Sequence, residues 1–363
     1  MIKVGSDFSG VGAFNQALMR LGIDYEEVFA CDMDKYARQT FIHNYGEPKY
    51  YPNNVYDREI PAESLDIYMT SPPCQAFSLA GKRLGKEDKR GILFFNSHEF
   101  IQVNKPRFFI FENVKGLLSD DGGKTFSEWI NMLGGKSVNG NPVLFPYEDS
   151  VLYHIYWQVL NAKDFGVPQN RERVFIIGIR DDEDNSFQFP KEEYLTKRLK
   201  DVLEDGVDEK FFLSYEAINR LTNNNDGCHS EIKSEESIGS TICASDYKLA
   251  REMNVLKIKS ATSKGYEEAT EGDSINFSVP NSETRRGRVG KGVAQTLDTG
   301  CQQGVLNGYR IRRLTPRECF RLMDFPDTFT WTVSDSQAYK QAGNSIVVNV
   351  LCKIINNLKI NKQ

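Results

Sequence analysis

The 363-residue chain has only four histidines and no Cys-x-x-Cys pair, so no structural zinc site is indicated. Its seven cysteines, at positions 31, 74, 228, 243, 301, 319 and 352, are odd in number and scattered. That pattern argues against a disulfide framework and for a reduced, cytoplasmic chain. No apolar run approaches the ~18 residues that span a bilayer. Met1-Ile2-Lys3 runs straight into strand-like sequence, without the pattern of a signal peptide. No internal repeat is present. Positive charge is also short: 45 Lys and Arg against 50 Asp and Glu leave a net charge of −5, which at first sight argues against a polyanionic partner. The remaining composition, 40% hydrophobic and 26% charged, excludes collagen-like, largely disordered and coiled-coil chains. The length suits about two domains.

What is present is an alternation of strand and helix signals. Strands are predicted over Ile2–Asp7, Tyr25–Asp32, Leu65–Thr70, Arg107–Phe111, Tyr153–Leu160 and Arg173–Arg180. Helices are predicted over Ala13–Arg20, Asp34–Tyr45 and Phe94–Val103. Short, uniformly apolar strands separated by helices imply an α/β fold with a mostly parallel sheet covered on both faces. After Arg180 the texture changes. Residues 181–210 hold eleven acidic and five basic side chains, and about 220 to 308 is rich in Asn, Gly, Ser and Thr without helical period. This reads as a smaller, loop- or β-rich domain. Helix returns over Thr315–Met323, where Thr315-Pro316-Arg317-Glu318 forms a capping box with proline at the first helical position. A last helix is expected over Ile346–Leu358. The expected division is 1–181 with 310–363 as one body, and 182–309 as the other.

Asp7-Phe8-Ser9-Gly10-Val11-Gly12 follows the first strand, and its glycines let backbone approach a ligand at a helix N-terminus. Asp32, at the end of the second strand, can accept both hydroxyls of a ribose. Asn15 stands where the third fingerprint glycine would be, so an adenosine site and a plain strand–helix turn both remain open on this motif. Gly123-Lys124-Thr125 resembles the end of a phosphate loop, but Leu118 occupies the position of its first glycine; it reads as a solvated polar loop.

Ser71-Pro72-Pro73-Cys74-Gln75 lies just beyond the third strand, at the sheet edge where open α/β folds bind ligands. Two prolines hold Cys74 on a stiff turn, whereas the other six cysteines read as small buried hydrophobes. Glu112-Asn113-Val114 ends the fourth strand, where a carboxyl group could act as an acid toward a bound base. Gln169-Asn170-Arg171-Glu172-Arg173 enters another strand with its two arginines on one face. Singly, each is an ordinary surface carboxylate or charge pair; together, at matching strand ends, they read as a site.

Taken in order, these motifs resemble the C5-cytosine DNA methyltransferases of bacterial restriction–modification systems. Asp7–Gly12 with Phe14 is similar to the first cofactor motif, Pro72-Pro73-Cys74-Gln75 to the nucleophile motif, and Glu112-Asn113-Val114 to the acid motif. Gln169-x-Arg171-x-Arg173 is similar to the base-binding motif, and Arg313–Glu318 to the motif that orients the recognition domain. Gln341-x-Gly343-Asn344-Ser345-x-Val347-Val348 is similar to the last motif, which folds back onto the cofactor. The resemblance spans the chain apart from about 182–308. It implies the Rossmann-like methyltransferase fold, S-adenosylmethionine as cofactor, S-adenosylhomocysteine as product, no metal, and duplex DNA as substrate.

By the same resemblance, Cys74 adds to carbon 6 of a flipped-out cytosine, Glu112 holds or protonates N3, and Arg173 with Arg171 grips the base. Asp7, Phe8, Ser9, Gly10, Gly12, Asp32, Met33, Asn54, Val55, Pro73, Leu93, Asn344, Ser345 and Val347 are expected around the cofactor, with Phe14 stacked near its adenine. Met33 stands where the family often has an aromatic residue, and Asn54 where it often has an acid. Gln75, Ser78, Lys82, Arg83, Arg90, Gln169 and Arg313 are expected to face DNA. Residues 81–91, with five basic and two acidic side chains, are expected to form a closing loop.

In the middle domain, Arg285, Arg286 and Arg288 look like backbone contacts, while Gln302 and Gln303 could read a base edge. Residues 285–321 hold nine basic and two acidic side chains, a local positive patch that answers the objection from net charge. An RNA-directed cytosine methyltransferase, a catalytically silent DNA-binding homologue and a nicotinamide-dependent oxidoreductase are the alternatives. The long middle domain favours DNA over RNA, and intact Cys74, Glu112 and Arg173 weigh against a silent homologue. A monomer without stable attachment to a restriction endonuclease is expected.

Overall fold

The computed structural model describes residues 1–73, 92–222, 255–307 and 310–360. The expected closing loop, and with it Cys74, Gln75, Ser78, Lys82, Arg83 and Arg90, lies outside the described residues.

Eight strands form the central sheet: β1 (Ile2–Asp7), β2 (Tyr25–Cys31), β3 (Ile67–Thr70), β4 (Phe108–Val114), β5 (Ser137–Val138), β6 (Asn141–Pro142), β7 (Tyr153–Asn161) and, after a two-residue β8 (Gln169–Asn170), β9 (Glu172–Arg180). Their order is β2-β1-β3-β4-β9-β7-β5-β6. β1 to β4 run parallel, while β9 is antiparallel to both its neighbours, β4 and β7. The sheet is thus mostly parallel, as expected, with one reversed strand at its centre. The reversal brings the start of β9 beside the end of β4: Val114 pairs with Arg173 and Glu112 with Phe175.

Both faces of β4 are covered, which explains its unbroken apolar run. Phe108 and Ile110 enter one core, built with α1 (Ala13–Arg20), and Phe109 and Phe111 enter the other, built with α3 (Ile92–Asn104) and α4 (Lys124–Leu133). Between α1 and α3 lies α2 (Lys35–Tyr45), capped by the Asp34 side chain. The GKT segment is not a solvated loop: Gly123 caps α4 with left-handed backbone, and Thr125 is buried, its hydroxyl donating to Asp120.

A short α5 (Tyr215–Leu221) leads into the small domain, with β10 (Leu256–Lys259), β11 (Tyr266–Ala269), β12 (Ser274–Asn276), β13 (Val289–Gly290), β14 (Ala294–Gln295), β15 (Gln303–Asn307) and β16 (Arg310–Arg313). β13-β12-β15-β16 form an antiparallel sheet over a core of Ile218, Ile258, Ala269, Ile275, Leu306 and Ile311. Phe187, Leu199 and Val202, expected in the small domain, pack instead into the large core. β14 pairs with β8, fastening the two bodies together.

The chain closes with α6 (Pro316–Leu322), α7 (Asp335–Asn344) and α8 (Val348–Asn357). The capping box of α6 forms as expected. α7 has no sequence signal because its buried face is Ala338, Tyr339, Gln341, Ala342 and Gly343, small and polar rather than an apolar stripe. α8 lies in the same core as α1.

Candidate active site

At the carboxyl ends of β1 and β2 the chain makes a tight turn. Phe8, Gly10 and Gly12 all have left-handed backbone. At Gly12 a side chain would also strike the Tyr45 ring, 2.3 Å from an added Cβ, so glycine is required there. At Gly10 an added Cβ meets nothing within 4 Å, and space lies open above the turn. The Gly10 and Asp34 amides each donate to one oxygen of Asp32 at 2.8 Å, which leaves this half-buried carboxylate with unused acceptor positions. Met33 beside it is 86% exposed, an unusual position for an apolar side chain unless something covers it. Asn54 accepts from the Tyr56 amide at 3.0 Å, and Val55 is buried beneath.

Two residues of the first motif serve other ends. Phe14 is buried in the core under α1, because it lies on the helix face toward the sheet. The aromatic ring on the turn itself belongs to half-buried Phe8. Asp7 is buried below the turn, where it accepts from the Tyr68 hydroxyl at 2.6 Å and pairs with Arg58 at 3.0 Å. Arg58 in turn lies over the rings of Phe100 and Phe29. Arg58 has no motif around it in the sequence, and only the fold shows that it supports the turn from behind.

The proline turn sits on the neighbouring strand. Asn113 donates from Nδ2 to the Pro72 carbonyl at 3.1 Å, fixing the β3 exit to the β4 exit, and Pro73 is exposed at the tip. Thr70 bonds Ser97 at 2.8 Å, and the adjoining α3 carries Leu93 into the same core. Glu112 is buried, with Arg173 Nε 3.2 Å from its Oε1. Burial pushes its carboxyl pKa up, and the nearby cations of Arg173 and Arg171 pull it back in part. A carboxyl held in this way can carry a proton nearer neutrality than a free glutamate can.

Arg171 faces away from this edge. It is buried and donates to the carbonyls of Leu297, Gly343 and Ser345 at 2.8–3.0 Å, so it joins the small domain to the end of α7 rather than reaching into the open site. Gln169 is equally committed, donating to the Leu322 carbonyl at 2.7 Å and accepting from the Leu297 amide at 3.2 Å. The Gly343 backbone touches Asp298, whose carbonyl would lie 2.1 Å from an added Cβ. Asn344 is exposed, while Ser345 and Val347 are buried. Gln341 donates to the Tyr36 carbonyl at 2.9 Å and accepts from Thr40 at 3.0 Å, and Lys340 pairs with Asp34 at 2.7 Å. The last motif therefore lies against α2, next to Asp32.

The expected positive patch is largely engaged within the chain, partly by buried contacts and partly by surface ion pairs. Arg288 is buried with its guanidinium on the carbonyls of Asn276, Ser278 and Val279. Arg312 forms a buried fork with Glu318 at 2.7 and 2.9 Å. Lys291, Arg310 and Arg321 pair with Asp273, Glu209 and Asp327. Arg313 holds the Gly300 and Cys301 carbonyls and lies over the Tyr339 ring, while Arg317 lies over Trp331. Gln303 is buried against Gln295 and Thr296, a loop-shaping role rather than base reading. That leaves half-buried Arg285, exposed Arg286, whose Nε donates to the Ala261 carbonyl at 2.9 Å, and exposed Gln302. Among the described residues no cluster of three or more metal-ligating side chains occurs, and no helix is long and apolar enough to cross a membrane.

The family described as C-5 cytosine-specific DNA methylase matches residues 2–360. The orphan methyltransferase M.SPRI of Bacillus phage SPR is 34% identical, over 98% of this chain and 97% of its own. The type II methyltransferase M.HpaII of Haemophilus parainfluenzae is 32% identical, over 94% and 84%. Among solved structures, a mutant DNMT2 of Spodoptera frugiperda superposes with a TM-score of 0.63 at 20% identity, covering 98% of this chain and 99% of that one. Dnmt2 of S. pombe gives 0.59 at 16%, covering 98% and 97%. At these identities the structural likeness speaks for the fold.

Proposed function

The chain belongs to the C-5 cytosine-specific DNA methylase family, whose members transfer a methyl group to carbon 5 of cytosine in DNA, and we propose how its residues divide that work. The observation that carries the proposal is the meeting, at one sheet edge, of the Asp32 turn, the Ser71–Pro73 turn and the Glu112–Arg173 pair.

S-adenosylmethionine, which the family uses, supplies an electrophilic methyl group when bound. The open space over Gly10, the spare acceptor positions of Asp32 and the exposed Met33 fit an adenosine moiety. Asp32 would take the ribose hydroxyls; Asn54, Met33 and Phe8 would contact the adenine; Asn344 would close the site from α7.

Carbon 5 of cytosine is too weak a nucleophile to react unaided. Cys74 as thiolate adds to carbon 6, pushing electron density toward carbon 5. Glu112, carrying its proton, donates to N3 and stabilises the charge that develops on the ring. Arg173 holds Glu112 and binds the base from the same side. Once carbon 5 is methylated, its proton leaves to a base and elimination across carbons 5 and 6 returns the thiolate. A stacked base cannot reach these groups, so the cytosine leaves the duplex. Arg286, Arg285 and Gln302 remain the DNA-facing candidates of the small domain. The enzyme acts as a monomer, without a stable complex with a restriction endonuclease.

The test uses duplex DNA carrying 5-fluorocytosine at the target, which bisulfite sequencing of the expression host's DNA first identifies. Fluorine cannot leave as a proton does, so a covalent band should survive a denaturing gel. Active enzyme that leaves no such band contradicts the addition step, and methylation confined to tRNA contradicts the DNA assignment.

A further inference from the structure

Asn15, the departure from the third glycine of the turn motif, is fully buried on the first turn of α1. Its Nδ2 donates to Glu27 Oε2 at 2.6 Å and to the Tyr25 hydroxyl at 3.3 Å, so both of its N–H groups are used. Two acceptors are then left buried and unpartnered, Asn15 Oδ1 and Glu27 Oε1. Two orphaned acceptors on adjoining side chains are costly, and one proton between them removes both deficits.

We propose that Glu27 is a neutral, protonated carboxyl that forms a closed acid–amide pair with Asn15, and that this pair is the positioning element seating α1 behind the cofactor turn. In the usual turn a third glycine lets helix and strand approach closely. Here a polar bridge spans the gap from the strand side, and it holds only while the proton is present.

The surroundings agree. Glu27 lies on β2 opposite Val4 of β1. The titratable groups around it are Tyr25 on its own strand, Tyr45 on α2 and Tyr51 beyond α2, all uncharged at neutral pH. Gln16 of α1 accepts from the Tyr45 hydroxyl at 3.2 Å, and the ring of that tyrosine packs against Gly12. No counter-ion therefore favours an ionised Glu27, and burial pushes its pKa up to about 8, the bond from Asn15 pulling the other way. A carboxyl whose pKa rises on folding stabilises the protein fully below its ordinary value, and that stabilisation is lost as pH climbs toward about 8.

The positioning claim rests on the reading of this turn as the S-adenosylmethionine site, so the experiment separates the two. Ligand-free wild type and Glu27→Gln are compared by infrared difference spectroscopy and thermal unfolding from pH 6 to 9, and S-adenosylmethionine affinity is then measured by calorimetry. Glu27→Gln reproduces the neutral pair without a titrating proton. The wild-type-minus-variant difference spectrum should show a protonated-carboxyl band belonging to Glu27, apart from that of Glu112, and this difference should vanish as pH rises. The wild-type unfolding midpoint should fall relative to the variant by about 2 °C or more over the same range. Wild-type affinity should weaken severalfold while that of the variant holds. A missing band, or parallel stability curves, overturns the pair. A pH-independent wild-type affinity beside an intact band overturns its positioning role. Absence of S-adenosylmethionine binding in both proteins overturns the cofactor reading and leaves the pair standing. If Glu27→Gln does not fold, the infrared titration is made on Glu112→Gln, which removes the Glu112 carboxyl from the same spectral region, and a missing band there overturns the pair.

Discussion

The carboxyl edge of the large sheet and the small antiparallel sheet both carry arginines in motif-like runs, and they use them differently. At the large edge Arg173 stays beside an open site, its guanidinium on a buried carboxyl that can hold a proton. In the small domain and its junction, Arg288 and Arg312 are wholly buried, one on three backbone carbonyls and one on Glu318. A loop-rich domain with a core of few apolar residues has little hydrophobic burial to draw on, and charged forks tie its segments together instead. A run of basic residues therefore measures local charge, not how much of that charge reaches DNA.

The largest effect should come from the large edge. Cys74→Ala should lower methyl transfer by about a thousandfold or more in a radiolabel assay while leaving DNA binding intact; retained turnover would refute the nucleophile assignment. Glu112→Gln should cost about 10²–10⁴ in kcat. The pKa of Glu112 is raised and its protonated form is the one that acts, so wild-type rate should decline as pH rises through that value. The variant should lose this dependence, and an identical pH profile would remove Glu112 as the acid.

Effects in the small domain should be on stability first. Arg312→Met strands the buried Glu318 carboxylate, which also accepts the Thr315 and Glu204 amides, and should destabilise by about 3–5 kcal/mol in denaturant unfolding. If that variant keeps its stability yet binds DNA poorly, the division between internal and DNA-facing arginines breaks. Smallest of all, Arg286→Ala should leave the unfolding midpoint unchanged and reduce the salt dependence of DNA binding by about one charge. An unchanged salt slope would leave the small domain without its exposed phosphate contact.

Legibility followed the range of the interactions. β1 and α1 fall at their predicted bounds, and the Thr315–Glu318 box forms as read, because alternation, capping and apolar runs act within a few residues. α7 was silent because its burial comes from close contact with Asp298 and Arg171, partners far away in the chain. Phe14 and Phe8 share a motif, yet helix phase buries the first in the core while the second, on the turn before α1, is only half-buried. Arg58, supporting Asp7, had no local signal at all.

By itself the sequence determined the family, the order of the motifs and the chemical groups at the strand ends, since these depend on residue identity and short spacing. Only the tertiary structure decided which arginines are buried, that β9 runs backwards so as to carry Arg173 to Glu112, and that Asn15 meets Glu27. Those outcomes depend on burial and on the pairing of distant strands. The same arginine side chain is a ligand contact in water-facing space and an internal strut where carbonyls and a carboxylate surround it.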